Sequence, residues 1–154
     1  MTPDKACYDF IKAHEGCILH AYKDSVGVWT IGYGTIKYPD GRLVKKGDQI
    51  SQQQAEELLQ YEVNMKAKVV DEATNMTPLA QNQFNALVSF TYNVGTKAFL
   101  SSSLLKLLRA NPYNPEIEKS FLLWSKGHIN GKLVTIPGLL KRRKEEAFLY
   151  FTSP

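Results

Sequence analysis

The amino-acid sequence predicts an α+β fold in a single domain: one helix, a small antiparallel sheet, a long connecting helix and then an all-helical cluster. Three observations carry this prediction. The 154 residues are about one domain's length, and 44% of them are hydrophobic, enough apolar material to close a core without disulfides or metals. Short β-favouring pieces separated by turn residues are confined to about residues 17–44, while one-turn apolar spacing dominates elsewhere. No repeat, low-complexity stretch or linker interrupts the chain.

Taken in order, Thr2-Pro3-Asp4 reads as a helix start: a hydroxyl able to accept from free N–H groups, a proline in the first helical position, and an acid facing the positive end of the dipole. Ala6, Cys7, Phe10, Ile11 and His14 then share one helical face, and Gly16 is suited to end the helix. Residues 18–22 and 28–33, separated by Asp24-Ser-Val-Gly27, read as a hairpin. Tyr38-Pro-Asp-Gly41 is a second turn, with residues 42–44 as a candidate third short strand. Ser51 with Gln54 makes a capping box, after which Ala55, Leu58, Leu59, Val63, Lys66 and Val70 hold a helical period over roughly 20 residues. This helix is expected to bridge two lobes, with 51–72 connecting a sheet lobe at about 15–50 to a helical lobe made of 1–14 and 75–154. Thr77-Pro78 opens a helix that carries Phe84, Leu87, Val88 and Thr91 on one side and stops near Gly95. A short amphipathic helix over 103–109 ends at Asn111-Pro112, and another runs from Pro115 to about Lys126. Residues 127–131 read as a loop, and 139–151 as the last helix.

Charge is uneven along the chain. From Ala73 to Lys144 there are ten basic residues and two acidic ones, a balance of +8, so the net +4 leaves −4 for the remainder. Such a half favours an anionic partner, whether nucleic acid, an anionic surface or a cell wall, without choosing among them. No apolar run approaches the ~20 residues of a membrane-spanning helix, and Met1-Thr-Pro-Asp-Lys5 lacks the layout of a signal peptide. The expectation is therefore a soluble chain with no export address. Cys7 and Cys17 flank the first helix, with Cα atoms roughly 15 Å apart, too far for a disulfide. Both read as free thiols made in a reducing compartment.

The informative stretch runs from Glu15 to Gly34. Glu15 falls in the last turn of the first helix, where exposed carbonyls make the field negative, so an acid there costs a few tenths of a kcal/mol rather than stabilising. That field favours the protonated carboxyl, which a general acid near neutral pH requires. Asp24 lies at the tip of the first strand and Thr30 on the returning strand, ends that a hairpin brings side by side. A carboxylate and a hydroxyl held together can orient one water, the carboxylate accepting its proton and the hydroxyl fixing its lone pair. Two carboxyls flanking a gap, one protonated and one ionised, are the minimum apparatus for cleaving a glycosidic bond. Each residue also fits a plain structural role: a solvated acid at a helix end, Asp-Ser before Gly in a turn, a β-former in a strand. Elsewhere the signals are bland. His14, His20 and His128 share no metal-ligand spacing, and Gly32 and Gly34 make no phosphate-binding loop. Trp29, Tyr33 and Trp124 read as core, and Lys141-Arg-Arg-Lys144 as a solvated helix face.

Set in His14-Glu-Gly16 and Trp29-Thr-Ile-Gly-Tyr-Gly34, the spacing of Glu15, Asp24 and Thr30 resembles the phage-type lysozymes, glycoside hydrolase family 24. Gln83-Phe-Asn-Ala-Leu-Val-Ser-Phe-Thr-Tyr-Asn-Val-Gly95, followed by Ala98-Phe99 and Ser103-Leu-Leu105, resembles the family's central signature. Pro137-Gly-Leu-Leu-Lys-Arg-Arg143, with Glu146-Ala147 behind it, resembles the C-terminal one, and three signatures in order span nearly the whole chain.

The resemblance implies a lysozyme-like fold with a sugar-binding cleft between the two lobes. It implies an endolysin, a muramidase that hydrolyses the β-1,4 bond between N-acetylmuramic acid and N-acetylglucosamine in peptidoglycan and so lyses a host cell. Glu15 would protonate the leaving oxygen, while Asp24 and Thr30 would position the attacking water on the opposite face of the sugar. Inversion of this kind requires the two carboxyls to stand roughly 6.5 to 9.5 Å apart. No cofactor or metal is implied. Ile36, Tyr92, Asn93 and Ser103 would line the cleft, and Arg142 or Arg143 would reach back toward the acidic end of the first helix. The implied partner is peptidoglycan and not nucleic acid. The enzyme would act as a monomer without stable membrane insertion, staying in the host cytoplasm until a holin opens the way to the periplasmic cell wall. The cationic half would raise encounters with anionic wall polymers and make activity fall with salt.

Three departures stand out. Many relatives carry His after the Gly-Tyr-Gly segment, where this chain has Thr35, so a His-based ion pair to the helical part is expected to be absent. Residues 127–135 are longer than the family's short glycine turn. Members with Cys in place of the catalytic Asp carry a membrane-inserted N-terminal segment, whereas this chain has Asp24 and is expected to have none. Two other functions fit part of the pattern. A lytic transglycosylase would use Glu15 alone and leave an anhydro sugar. A non-catalytic binder of cell wall or nucleic acid would use only the cationic half.

Overall fold

The computed structural model describes residues 1–153. Helix α1 (Lys5–Glu15) leads into an antiparallel hairpin of β1 (Ile18–Lys23) and β2 (Trp29–Gly32), then the long helix α2 (Gln52–Ala73). A helical group follows: α3 (Gln81–Val94), α4 (Thr96–Ser101), α5 (Ser103–Ala110) and α6 (Glu116–Leu122). A second hairpin, β3 (Lys126–Ile129) with β4 (Lys132–Thr135), precedes the last helix, α7 (Pro137–Phe151). The two sheets have two strands each and are separate.

The start of α1 lies later than the Thr2-Pro3 signal suggests. Asp4 caps it, accepting from Cys7 N at 3.2 Å, because Thr2 is held outside the helix by its carbonyl, which accepts from Gln81 Nε2 at 2.9 Å. Gly16 ends α1 at φ +66°, a conformation that favours glycine. The first hairpin pairs Lys23 with Trp29 and Tyr22 with Thr30, and an irregularity separates these from the Ile18–Gly32 pair. Residues 42–44 do not form a third strand: the Tyr38–Gly41 turn closes with an isolated bridge between Lys37 and Leu43. The Ser51–Gln54 capping box of α2 is present in both directions, and Ala55, Leu59, Val63, Ala67 and Val70 form its buried stripe.

Helix α3 differs from the one-sided expectation. It starts at Gln81 and not at Thr77-Pro78, with Gln83 reaching back to accept from Ala80 N at 2.9 Å. Every side chain from Gln83 to Thr91 is buried, because α1, α2, α4 and α7 all pack on it. Phe90 sits edge-on to Phe99, Phe121 and Trp124, at centroid distances of 6.4, 5.6 and 5.9 Å. Helix α4, six residues long, is too short to show a period in the sequence, and α6 stops before Lys126, which begins β3. The stretch 127–131 is not a loop but most of a hairpin, turned by Asn130 and Gly131 at φ +52° and +78°. Neither cysteine is in a disulfide: Cys7 is buried, its thiol pushed up to about 12 by desolvation, and Cys17 is half-buried.

Candidate active site

Glu15 is the last residue of α1, so its side chain leaves the helix where the chain turns toward the first hairpin. Two neighbours fix it. Arg142 of α7 donates from a terminal nitrogen to Glu15 Oε1. On the other side, a Cβ at Gly34 would lie 3.4 Å from Glu15 Oε2, so the glycine, at φ +102°, leaves just enough room for the carboxyl. The negative helix end considered from sequence is therefore not the only field at Glu15, since a guanidinium faces it as well.

Beneath this contact lies a buried ionic cluster. Arg142, Arg143 and Glu146 expose 4%, 0% and 0% of their surface, which overturns the reading of Lys141-Arg-Arg-Lys144 as a solvated face; only its two lysines are exposed. Glu146 Oε2 accepts from Ser89 Oγ at 2.6 Å, from Arg142 Nε at 3.3 Å and from a terminal nitrogen of Arg143 at 3.3 Å. Arg143 Nε lies 2.7 Å from Glu146 Oε1 as an ion pair too bent for a hydrogen bond. Burial pushes the Glu146 carboxyl up and the Arg143 guanidinium down, and their mutual attraction opposes both shifts. Beside the cluster, His14 Nε2 lies 2.7 Å from Glu145 Oε2, and burial followed by the Arg142 charge holds His14 below its ordinary value.

Asp24 and Thr30 belong to the turn of the first hairpin. Asp24 Oδ1 accepts from Val26 N at 3.0 Å and Val28 N at 2.8 Å, which fixes the carboxylate and leaves Oδ2 without a bond to the protein. Thr30 is buried and donates its hydroxyl hydrogen to the Val28 carbonyl at 2.9 Å. The hydroxyl is thus left to a water as an acceptor, the reverse of the expectation that it would fix a water lone pair.

Glu15, Asp24 and Thr30 line one cleft of about 790 Å³, together with Gly34, Ile36, Tyr92 and Asn93. Ser103 is not among the lining residues. It opens α5 in an exposed position, while the buried Ser102 before it caps that helix by accepting from Leu105 N at 3.1 Å. The hydroxyl of this segment that reaches a cleft residue is Thr96, which accepts from Lys66 Nζ at 3.4 Å. Glu62, a half-buried acid of α2 in the cleft wall, has no signal in the sequence to mark it. Its Oε2 accepts from Thr35 Oγ1 at 3.3 Å, so Thr35 meets α2 through a hydroxyl. Among the described residues no group of three or more His, Cys, Asp and Glu could hold a metal ion, and no helix is long and apolar enough to cross a membrane.

Residues 12–146 match the family described as phage lysozyme. An endolysin of Acyrthosiphon pisum secondary endosymbiont phage 1 is 38% identical over 140 residues, covering 91% of each chain. Among solved structures, an endolysin from Escherichia coli O157:H7 phage FAHEc1 superposes with a TM-score of 0.90 at 40% identity, covering 98% of this chain and 94% of that one. The muramidase domain of SpmX from Asticaccaulis excentricus gives a TM-score of 0.84 at 30% identity, covering 97% of each. The fold is lysozyme-like, and the chain belongs to the phage lysozyme family.

Proposed function

We propose that this chain is an endolysin that hydrolyses peptidoglycan as a muramidase, cutting the β-1,4 bond between N-acetylmuramic acid and N-acetylglucosamine with inversion. The observation that carries the reading is that Glu15, Asp24 and Thr30 line one cleft of about 790 Å³. Glu15 gives its proton to the leaving oxygen, and the Arg142 guanidinium then faces the carboxylate that remains. A water donates one hydrogen to Asp24 Oδ2 and the other to Thr30 Oγ1, which leaves its lone pair aimed at the anomeric carbon. Asp24 accepts the water's proton as the new bond forms. Attack from the face opposite the acid gives inversion. The relatives that carry the names endolysin and muramidase support this reading.

Release of reducing ends from purified peptidoglycan tests it. Glu15→Gln and Asp24→Asn are expected to abolish release, and proton NMR of the first product is expected to show the inverted anomer. An anhydro sugar would replace the hydrolase with a transglycosylase. Retained release in both variants would leave only wall binding. The same proposal holds that the protein acts as a monomer on the wall and waits in the host cytoplasm for a holin. Light scattering tests the first point, and lysis of intact against membrane-permeabilised cells tests the second.

A further inference from the structure

The hydrogens around Glu62 can be counted. Glu62 Oε2 lies 3.3 Å from Thr35 Oγ1 and 3.3 Å from Tyr92 Oη, and Tyr92 Oη lies 2.9 Å from the Tyr33 carbonyl oxygen. A phenol has one hydrogen to donate, and a carbonyl can only accept. Were Glu62 a carboxylate, two acceptors would compete for that hydrogen, and one contact would set lone pair against lone pair in a half-buried place. With a proton on Glu62 every contact has its own hydrogen: Thr35 donates to Glu62, Glu62 to Tyr92, and Tyr92 to Tyr33. The members come from three parts of the fold, with Thr35 and Tyr33 beside the first hairpin, Glu62 on α2 and Tyr92 on α3.

The charges that face Glu62 are few. Lys66, one turn along α2, favours its ionised form, and Glu15 of α1 opposes it; Thr35 and Tyr92 offer only hydroxyls. Burial is the largest influence, and the carboxyl is held above its ordinary value.

We propose that Glu62 is a positioning residue that works as the neutral acid: its proton completes a chain from Thr35 through Tyr92 to the Tyr33 carbonyl and so fixes the backbone at Gly34 against Glu15. The positioning role rests on the reading of Glu15 as proton donor. When Glu62 ionises, the Tyr92 hydrogen turns to it and the Tyr33 carbonyl beside Gly34 is released.

Carboxyl-¹³C glutamate NMR tests the proton, with Glu62→Gln assigning the resonance. The expected result is one glutamate carbon, missing from Glu62→Gln, that stays in the protonated position above pH 4.5, the ordinary glutamate value. The Gly34 amide is expected to move with the same midpoint in the wild type, and to show no such step in Glu62→Gln or Tyr92→Phe. In the wall assay, kcat is expected to fall with that midpoint while KM changes less than about twofold, and Glu62→Gln, whose amide donates in place of the acid, is expected to lose that limb of the profile. Titration of the Glu62 carbon with the exposed glutamates, or a Gly34 amide indifferent to it, would overturn the proposal. The NMR arms decide this without turnover, so a wild type that releases no reducing ends would refute the muramidase reading alone.

Discussion

Replacing Arg142 with methionine is expected to destabilise the protein by about 3–5 kcal/mol, the range found when a buried ion loses its partner. Two guanidiniums, Arg142 and Arg143, face two carboxyl groups, Glu15 and Glu146, and Arg142 bridges both acids. Methionine keeps an unbranched apolar stem but removes the charge and every donor. The losses are the bond to Glu15, the 3.3 Å bond to Glu146 Oε2 and the two 3.3 Å contacts with the Ser89 carbonyl and hydroxyl. Glu146 keeps Arg143 and the 2.6 Å bond from Ser89, which holds the cost below that of an isolated buried charge. For 154 residues the entropy of unfolding is about 0.32 kcal/mol/K, so Tm should drop by about 9–15 °C in a calorimetric scan. Adding Glu146→Gln removes the buried acid that Arg142 no longer meets, and the double variant is expected to recover about 1–3 kcal/mol relative to the sum of the single changes. A fall of less than about 3 °C, or strict additivity in the double variant, would refute the account of Arg142 as a buried partner of Glu146.

Three further outcomes are expected. His14 is held below its ordinary 6.5 when folded, so its contribution to stability is present above pH 6.5 and is lost as pH falls through the folded value; stability of His14→Gln, followed by urea titration at several pH values, should lack that slope. Thr30→Val should leave Tm within a few degrees but lower kcat by at least about tenfold, because it removes the oxygen that accepts from the water, while Thr30→Ser should retain most of the turnover. Gly34→Ala places a methyl 3.4 Å from Glu15 Oε2 at a positive φ, and should cost about 1–2 kcal/mol and most of the activity. Gly47→Ala, strained in φ but with nothing nearby, should show the stability loss with activity preserved.

Local chemistry was readable from sequence where a signal and its effect lie within one turn of each other. The Ser51–Gln54 box is satisfied within four residues, and the Asp24 turn is closed by Val26 and Val28. What escaped depends on partners far along the chain. Arg142 and Arg143 sit in a basic run that looks solvated until Glu15, Ser89 and Glu146 are placed around it. Helix α3 carries Asn85, Ser89 and Thr91 in its buried surface, which blurs any apolar face; Asn85 is satisfied by Asp4, 81 residues away, at 2.8 Å. Glu62 has nothing in its own segment to separate it from Glu57 or Glu72, and only Thr35 and Tyr92 single it out. The second hairpin is a different case. Asn130-Gly131 is a strong turn signal, but the flanking residues are largely exposed and show no apolar alternation to mark them as strands.

The guanidinium that meets Glu15 stands 127 residues downstream of it. During synthesis the acid leaves the ribosome 127 residues before its counterion, so a chain cut short before α7 holds Glu15 with no cation from that helix. Assembly of this pair therefore closes a loop of 127 residues, and the entropy of that closure is met before the contact can repay it.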